Sequence, residues 1–464
     1  MEISKAKVYG ILDKLSMILL CVLMVDVCIL AHLKLFDVAF FGNRMALLIA
    51  LTIVSIPQII MNFKTIIKNK FVIMILTFSA WILFSAILGL VNKNNIGILT
   101  TDIKGFFYFV FIPVALCVLN TKERIYTLMK VLMYATIAIS VIYLAHLVIY
   151  LVSLKTFNQL LVFGMKTKFS IISSVTPKIP RVFIANVMFL LCGCAFPLYF
   201  YIEGKDLPKR KLIKYPLICG LSIFSMMITY TRSVYFGAFI TLMGCLITFV
   251  IKTPAKIIKR LATYLLISVA VFLVVVTSFN ISQKTDYLSF AFVRTFGTFV
   301  DMGTGDTDNP DGTVDEDDTE LEDEFKHYLD ETKKSDELRT ATVSELIENI
   351  KSSPIIGHGL GKGLMVRGNG EELNEYSYLD IMSKTGIVGL ILFLLPAIYM
   401  VIALFLKKSK QFDMAKIWVS VLLGFMVFSY FNPYMPCSLG ILMYCCTIAA
   451  FEICSKLDKE TQTD

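Results

Sequence analysis

Apolar residues in this chain run in blocks of about twenty, separated by short polar connections. The stretch 71–91, FVIMILTFSAWILFSAILGLV, is typical and carries no charge. At 1.5 Å rise per residue, a helical block of this length crosses a hydrocarbon layer of roughly 30 Å. Within that layer each backbone N–H and C=O must be satisfied inside the segment, so the blocks are predicted to be helices. The pattern gives twelve: 15–33, 44–62, 71–91, 102–119, 127–152, 183–201, 213–230, 233–251, 261–279, 386–404, 414–432 and 436–454. Gly105 and Pro113 interrupt the fourth, and a tight turn at Thr231 and Arg232 joins the seventh and eighth. The chain is therefore expected to be an all-α integral membrane protein. Nine spans lie in 1–279, one long connection in 280–385, three spans in 386–454 and a short tail in 455–464.

Composition agrees. Of 464 residues, 56% are hydrophobic and only 17% charged, too little polar surface for a soluble chain of this size. The formal net charge of +8 does not imply nucleic acid, because the basic residues sit in the connections, where they set orientation. Every second connection is basic: Lys64, Lys68 and Lys70; Lys122 and Arg124; Lys205, Lys209, Arg210, Lys211 and Lys214; Lys252, Lys256, Lys259 and Arg260; Lys407, Lys408 and Lys410. This places both termini in the cytoplasm and 280–385 on the outer face. The first block follows Lys5, Lys7 and Lys14 without a small-residue cleavage site, so it is expected to be retained. The eleven cysteines fall mostly within apolar blocks, among them Cys192, Cys194, Cys245, Cys445 and Cys446, and no CxxC accompanies a histidine cluster. They are expected to be small buried hydrophobes, with no metal site. Span centres are almost free of charge, Asp26 being the main exception.

Two outer segments stand apart. The segment 153–182 holds Lys155, Lys166, Lys168, Lys178 and Arg181 and no acid. It is either an anion-binding surface or a loop whose basic side chains snorkel to headgroups. The connection 280–385 is too long for a turn. Its acidic run, Asp306 to Glu324, does not follow the calcium-loop spacing and is expected to be a solvated excursion. After it, Ser335-Asp336-Glu337 opens a helix with Leu338, Leu346, Ile347 and Ile350 as a partial apolar stripe. Ser353-Pro354 ends it. Gly357-His358-Gly359-Leu360-Gly361-Lys362-Gly363 comes next, either to bring amides close to an anion or simply to turn the chain.

Three stretches together resemble one family. They are Thr231-Arg232-Ser233-Val234-Tyr235-Phe236-Gly237; Leu338-Arg339 with the helix after it and Ser353-Pro354-Ile355-Ile356-Gly357-His358-Gly359-Leu360-Gly361; and Glu375-Tyr376-Ser377-Tyr378-Leu379-Asp380 with Lys384-Thr385-Gly386-Ile387-Val388-Gly389-Leu390. In order and placement they are similar to the O-antigen ligase and polymerase superfamily, which has about a dozen spans and a large outer loop late in the chain. The family's ligases carry a histidine where this sequence has Glu375. The role is not carried over to His358.

The resemblance implies glycosyl transfer at the outer membrane face, without a cofactor. The donor would be an oligosaccharide on polyprenyl pyrophosphate and the acceptor a sugar hydroxyl on another lipid-linked repeat unit. Membrane lipids, a flippase and a chain-length regulator would be its surroundings, in a bacterial cytoplasmic membrane. Such transfer needs cations for the departing pyrophosphate and a base for the acceptor proton. Arg232 and Arg339 are the leading cations, since the guanidinium fork suits phosphate oxygens; Lys166, Lys168, Lys178 and Arg181 are further substrate-binding candidates. Glu375 is the candidate base, because partial burial at the interface would raise a carboxylate toward neutrality, with Asp380 beside it. Tyr376 and Tyr378 could stack on sugar rings. The missing histidine tilts the reading toward a repeat-unit polymerase, with a ligase of the same superfamily as alternative. A twelve-span transporter or flippase is the third reading, and it would need polar residues deep in several spans.

Overall fold

A computed structural model describes the chain apart from residues 1, 185, 205–206, 251–254, 292–336, 368–374, 407–411 and 464 and parts of 31–40, 154–178 and 284–290. The acidic run and the side chains of Lys166, Lys168 and Lys178 lie outside the described residues. Helices dominate: α1 (Glu2–Ile29), α2 (Asn43–Met61), α3 (Lys70–Val91), α4 (Ile96–Val118), α5 (Lys122–Val152), α6 (Val187–Glu203), α7 (Lys214–Met227), α8 (Arg232–Val250), α9 (Ala255–Gln283), α10 (337–352), α11 (Ser377–Leu406), α12 (Asp413–Tyr430) and α13 (Ser438–Thr463). Among the described residues, nine are long and apolar enough to cross a membrane. The shorter α6 and α7, with α1, fall on the remaining predicted spans. The chain is an all-α integral membrane protein, with only two small antiparallel pairings beside its helices among the described residues. The longer is the hairpin β1 (Ser170–Thr176) and β2 (Ile179–Ile184).

Large apolar side chains face outward along the helices, including Ile53, Leu83, Leu266 and Ile391, each more than half exposed. On a lipid-facing surface that exposure is the favourable arrangement. Inside, Trp418 packs at 4.9 Å from Phe196 and Phe189 meets Phe425 edge-on. Helices α8 and α12 approach closely because small residues line the seam: a Cβ on Gly237 would lie 2.8 Å from the Gly424 carbonyl oxygen, and one on Gly244 would lie 2.4 Å from Ser420 Oγ. Without a hydrophobic drive between helices in lipid, such close approach is what holds them.

Local sequence sets the helix starts. Asn69 Oδ1 accepts the Phe71 and Val72 amides at the head of α3, and Asn95 Oδ1 accepts those of Gly97 and Ile98 at the head of α4. The expected interruption of α4 is present as a tighter turn over Tyr108–Phe111. One start lies earlier than expected, α4 at Ile96 rather than 102, and a short helical stretch from Ser377 precedes a kink at Gly386, where the expected span begins. Asp102 and Lys384, at the edges of the expected spans rather than their centres, therefore lie in helices and are buried. Asp26 is buried as well, paired with Arg44 at 3.2 Å.

Candidate functional site

One end of the bundle gathers most of the residues singled out from sequence. Here the turn between α7 and α8 meets β2, the helix α10, the head of α11 and the last residues of α12. The turn is held from several sides. Tyr235 Oη donates to the Met227 carbonyl at 2.6 Å, the Val182 amide of β2 donates to the Ile228 carbonyl at 3.3 Å, and Asn432 Nδ2 donates to Ser233 Oγ at 2.8 Å. Ser377 Oγ in turn donates to the Asn432 carbonyl at 2.8 Å. Arg232, between Thr231 and Ser233, is thus carried on a cross-linked junction of α8, α11 and α12.

Arg181 projects from β2 onto the same turn. Its Nε donates to the Thr229 carbonyl at 3.0 Å, and its Nη2 lies 3.5 Å from Thr231 Oγ1. Burial, and then the positive charge of nearby Arg339, hold the Arg181 guanidinium below its usual range, with Tyr235 opposing. Arg339 stands near the start of α10 and pairs through Nε with Glu375 Oε2 at 3.2 Å. The side chains are 39% and 29% exposed, so the pair is open to a ligand. Arg181, Arg232, Arg339 and Glu375 therefore share one end of the bundle.

Tyr376 follows in a left-handed conformation (φ 64°). Its ring meets Tyr430 at 5.9 Å and Phe431 at 6.0 Å, both edge-on. Beside them runs an open apolar groove of about 470 Å³ between α8, α11 and α12, lined by Phe236, Ile240, Tyr378, Leu423, Tyr430 and Phe431 among others. Phe236 is one helical turn below Arg232. Tyr378 Oη donates to the Met426 carbonyl at 2.8 Å, so its ring forms groove wall.

Asp380 stands elsewhere. It is buried, and its Oδ2 accepts from Lys384 Nζ at 2.8 Å. On α10, Thr342 and Leu346 are buried while Leu338 and Ile347 are exposed, so the buried face differs from the expected stripe. The helix ends at 352, as Ser353-Pro354 predicts. The glycine-rich turn proves to be a packing device. The amides of His358, Gly359, Leu360 and Gly361 donate to Ser383 O, Lys384 O, Ser85 O and Asp102 Oδ2. Gly357, Gly359 and Gly361 all have φ between 71° and 84°, a region that suits glycine. A Cβ on Gly359 would lie 2.2 Å from the Gly89 amide nitrogen. His358 Nε2 lies 2.9 Å from the Asn349 carbonyl oxygen and so ties the turn back to α10.

Residues 217–394 match the family model described as O-antigen ligase. The matched region runs from α7 to the middle of α11 and holds Arg232, Arg339 and Glu375. It supports the O-antigen ligase and polymerase superfamily, whose members are glycosyltransferase-like membrane enzymes acting on lipid-linked oligosaccharides. No curated protein and no solved structure matches the chain.

Proposed function

We propose that the chain is a polysaccharide polymerase, extending a capsule, exopolysaccharide or O-antigen chain at the outer face of a bacterial cytoplasmic membrane. The observation that carries this reading is the meeting of Arg181, Arg232, Arg339 and Glu375 at the mouth of an apolar groove. A lipid-linked pyrophosphate has the same two parts, a charged head and a long apolar tail. The guanidiniums would face the pyrophosphate, and the groove would take the first isoprene units.

In the reaction, an acceptor hydroxyl oxygen bonds to the anomeric carbon of the donor sugar. The bond from that carbon to the pyrophosphate oxygen breaks, and the pyrophosphate leaves with the electron pair. Arg232 and Arg339 stabilise that growing charge at sites already arranged to receive it. The acceptor proton goes to Glu375. Arg181 supports the site from β2, and Tyr376 offers a ring to the sugars. Asp380 contributes through Lys384. Lys166, Lys168 and Lys178 belong to the same basic segment as Arg181 and are assigned to substrate approach. The basic connections support cytoplasmic termini, which puts the site outside.

A ligase is the second reading, favoured by the description of the matching family and opposed by Glu375 in place of the histidine. The deciding experiment mixes purified protein with polyprenyl-pyrophosphate-linked repeat units alone. A ladder of lengths, absent in Arg232→Ala, is expected. No elongation by folded protein, with transfer once a different glycolipid acceptor is added, would replace polymerase by ligase.

A further inference from the structure

Helix α11 carries a break. At Gly386 the backbone turns to φ 70° and ψ −179°, which frees the carbonyls of Ser383, Lys384 and Thr385 and the amides of Ile387 and Val388 from the helical ladder. Each finds a partner outside the helix. Ser383 O and Lys384 O accept the His358 and Gly359 amides at 3.0 and 2.9 Å, and Thr385 O accepts Trp81 Nε1 at 2.9 Å. The Ile387 and Val388 amides donate to Pro354 O and Ile355 O at 2.9 and 3.5 Å. The glycine turn and the kink are therefore complementary halves of one joint. A Cβ on Gly386 would lie 1.9 Å from the Ile355 carbonyl oxygen.

Lys384 ties this joint to the bundle. Its Nζ donates to Asp102 Oδ1 of α4 at 2.9 Å and to Asp380 Oδ2 at 2.8 Å. The other Asp102 oxygen accepts the Gly361 amide at 3.0 Å. The side chains of Lys384 and Asp102 are 4% and 5% exposed, and beside them lies a water-sized cavity of about 10 Å³. The turn comes directly after α10, which holds Arg339 about 20 Å away along its axis at 1.5 Å per residue. At the far end of α10, Arg339 meets Glu375, two residues before α11.

We propose that Lys384 and Asp102 are positioning residues: the Asp102–Lys384 pair, buried against the glycine turn, fixes α10 and so sets where Arg339 stands. The catalytic half of this assignment rests on the transfer reading above; the anchoring half does not. Lys384 touches no substrate and acts through the turn. Removing Lys384 alone leaves the buried charges of Asp102 and Asp380 unmatched, so the triple neutral variant, with Asp380 replaced as well, separates anchoring from misfolding.

Hydrogen exchange on the full chain in nanodiscs tests the anchor. In Lys384→Met, and in Asp102→Asn/Asp380→Asn/Lys384→Met, exchange of 337–361 is expected to speed up by about tenfold or more, with α12 and α13 unchanged. Unchanged exchange of 337–361 in the folded triple variant overturns the proposal, whatever reaction the chain performs. Turnover of lipid-linked repeat units tests the positioning. In an Arg339→Ala background, Lys384→Met is expected to bring no further loss, because both act through one guanidinium. A further loss that multiplies with that of Arg339→Ala overturns the positioning role and leaves a purely structural pair. A chain that anchors as expected but transfers no glycan would refute the transfer reading alone.

Discussion

Arg339 and Glu375, thirty-six residues apart in sequence, face each other at 3.2 Å across the segment that joins α10 to α11. The contact joins the leading cation of the long connection to the residue standing where the family's ligases carry histidine. It also fixes the start of α10, whose other end is held by the glycine turn.

Arg339→Ala is expected to lower transfer about 10²- to 10³-fold, the usual effect of removing one donor from a developing anion. Arg339→Lys keeps the charge but loses the fork, and is expected to recover little of it. Glu375→Gln is expected to cost about 10²-fold. Rates of ladder formation, normalised to monodisperse protein, measure all three. Full activity in both Arg232→Ala and Arg339→Ala would remove the site assignment.

The apolar groove predicts a dependence on tail length. Leu423→Trp fills space between α8, α11 and α12. It is expected to raise the KM for a long-chain donor about tenfold, one pocket-sized penalty of roughly 1.4 kcal/mol, and to leave a short-chain analogue unaffected. Equal effects on both donors would place the tail elsewhere.

The glycine turn predicts an uneven response to alanine. Gly359→Ala adds a Cβ at 2.2 Å from the Gly89 nitrogen, in a backbone with φ of 84°. It is expected to destabilise by about 1–3 kcal/mol. Gly10, inside α1 with nothing within 4 Å of its Cβ position, is the control, and Gly10→Ala should melt no lower than the parent. Thermal unfolding in detergent compares them.

Orientation can be read with a membrane-impermeant maleimide. Nine of the eleven native cysteines are buried, so the background is low. Glu348→Cys should label in intact cells and Arg210→Cys only after lysis. The reverse pattern would invert the topology and put the site on the cytoplasmic side.

The helices were readable from sequence because lipid demands long apolar blocks, and 71–91 or 414–432 can hardly be anything else. The misreadings sit at helix ends. Asp102 looked like the boundary of the fourth span because Ile96–Thr101 is less apolar than Phe106–Val118, yet Asn95 caps the helix so that it begins at Ile96. Lys384 looked like loop because Gly386 breaks the pattern; the helix does break there, but a short helical stretch from Ser377 precedes the kink, and the backbone groups freed at the kink bond to the segment after α10. Asp102 and Lys384 are 282 residues apart, and no local periodicity links them. The signal available was a single charge at the edge of each apolar block, which hydropathy alone trims away. Arg232 and Arg339 were singled out by motif order. Their meeting with Arg181 required the β2 strand to fold onto the α7–α8 turn.

The break at Gly386 also bears on how the protein is made. The amides and carbonyls it frees from the helical ladder would have no water to turn to within a bilayer. Their partners at Pro354, Ile355, His358 and Gly359 precede the kink in the chain, so they leave the ribosome first. The connection before α11 therefore already carries the groups that complete its backbone when the helix enters the membrane.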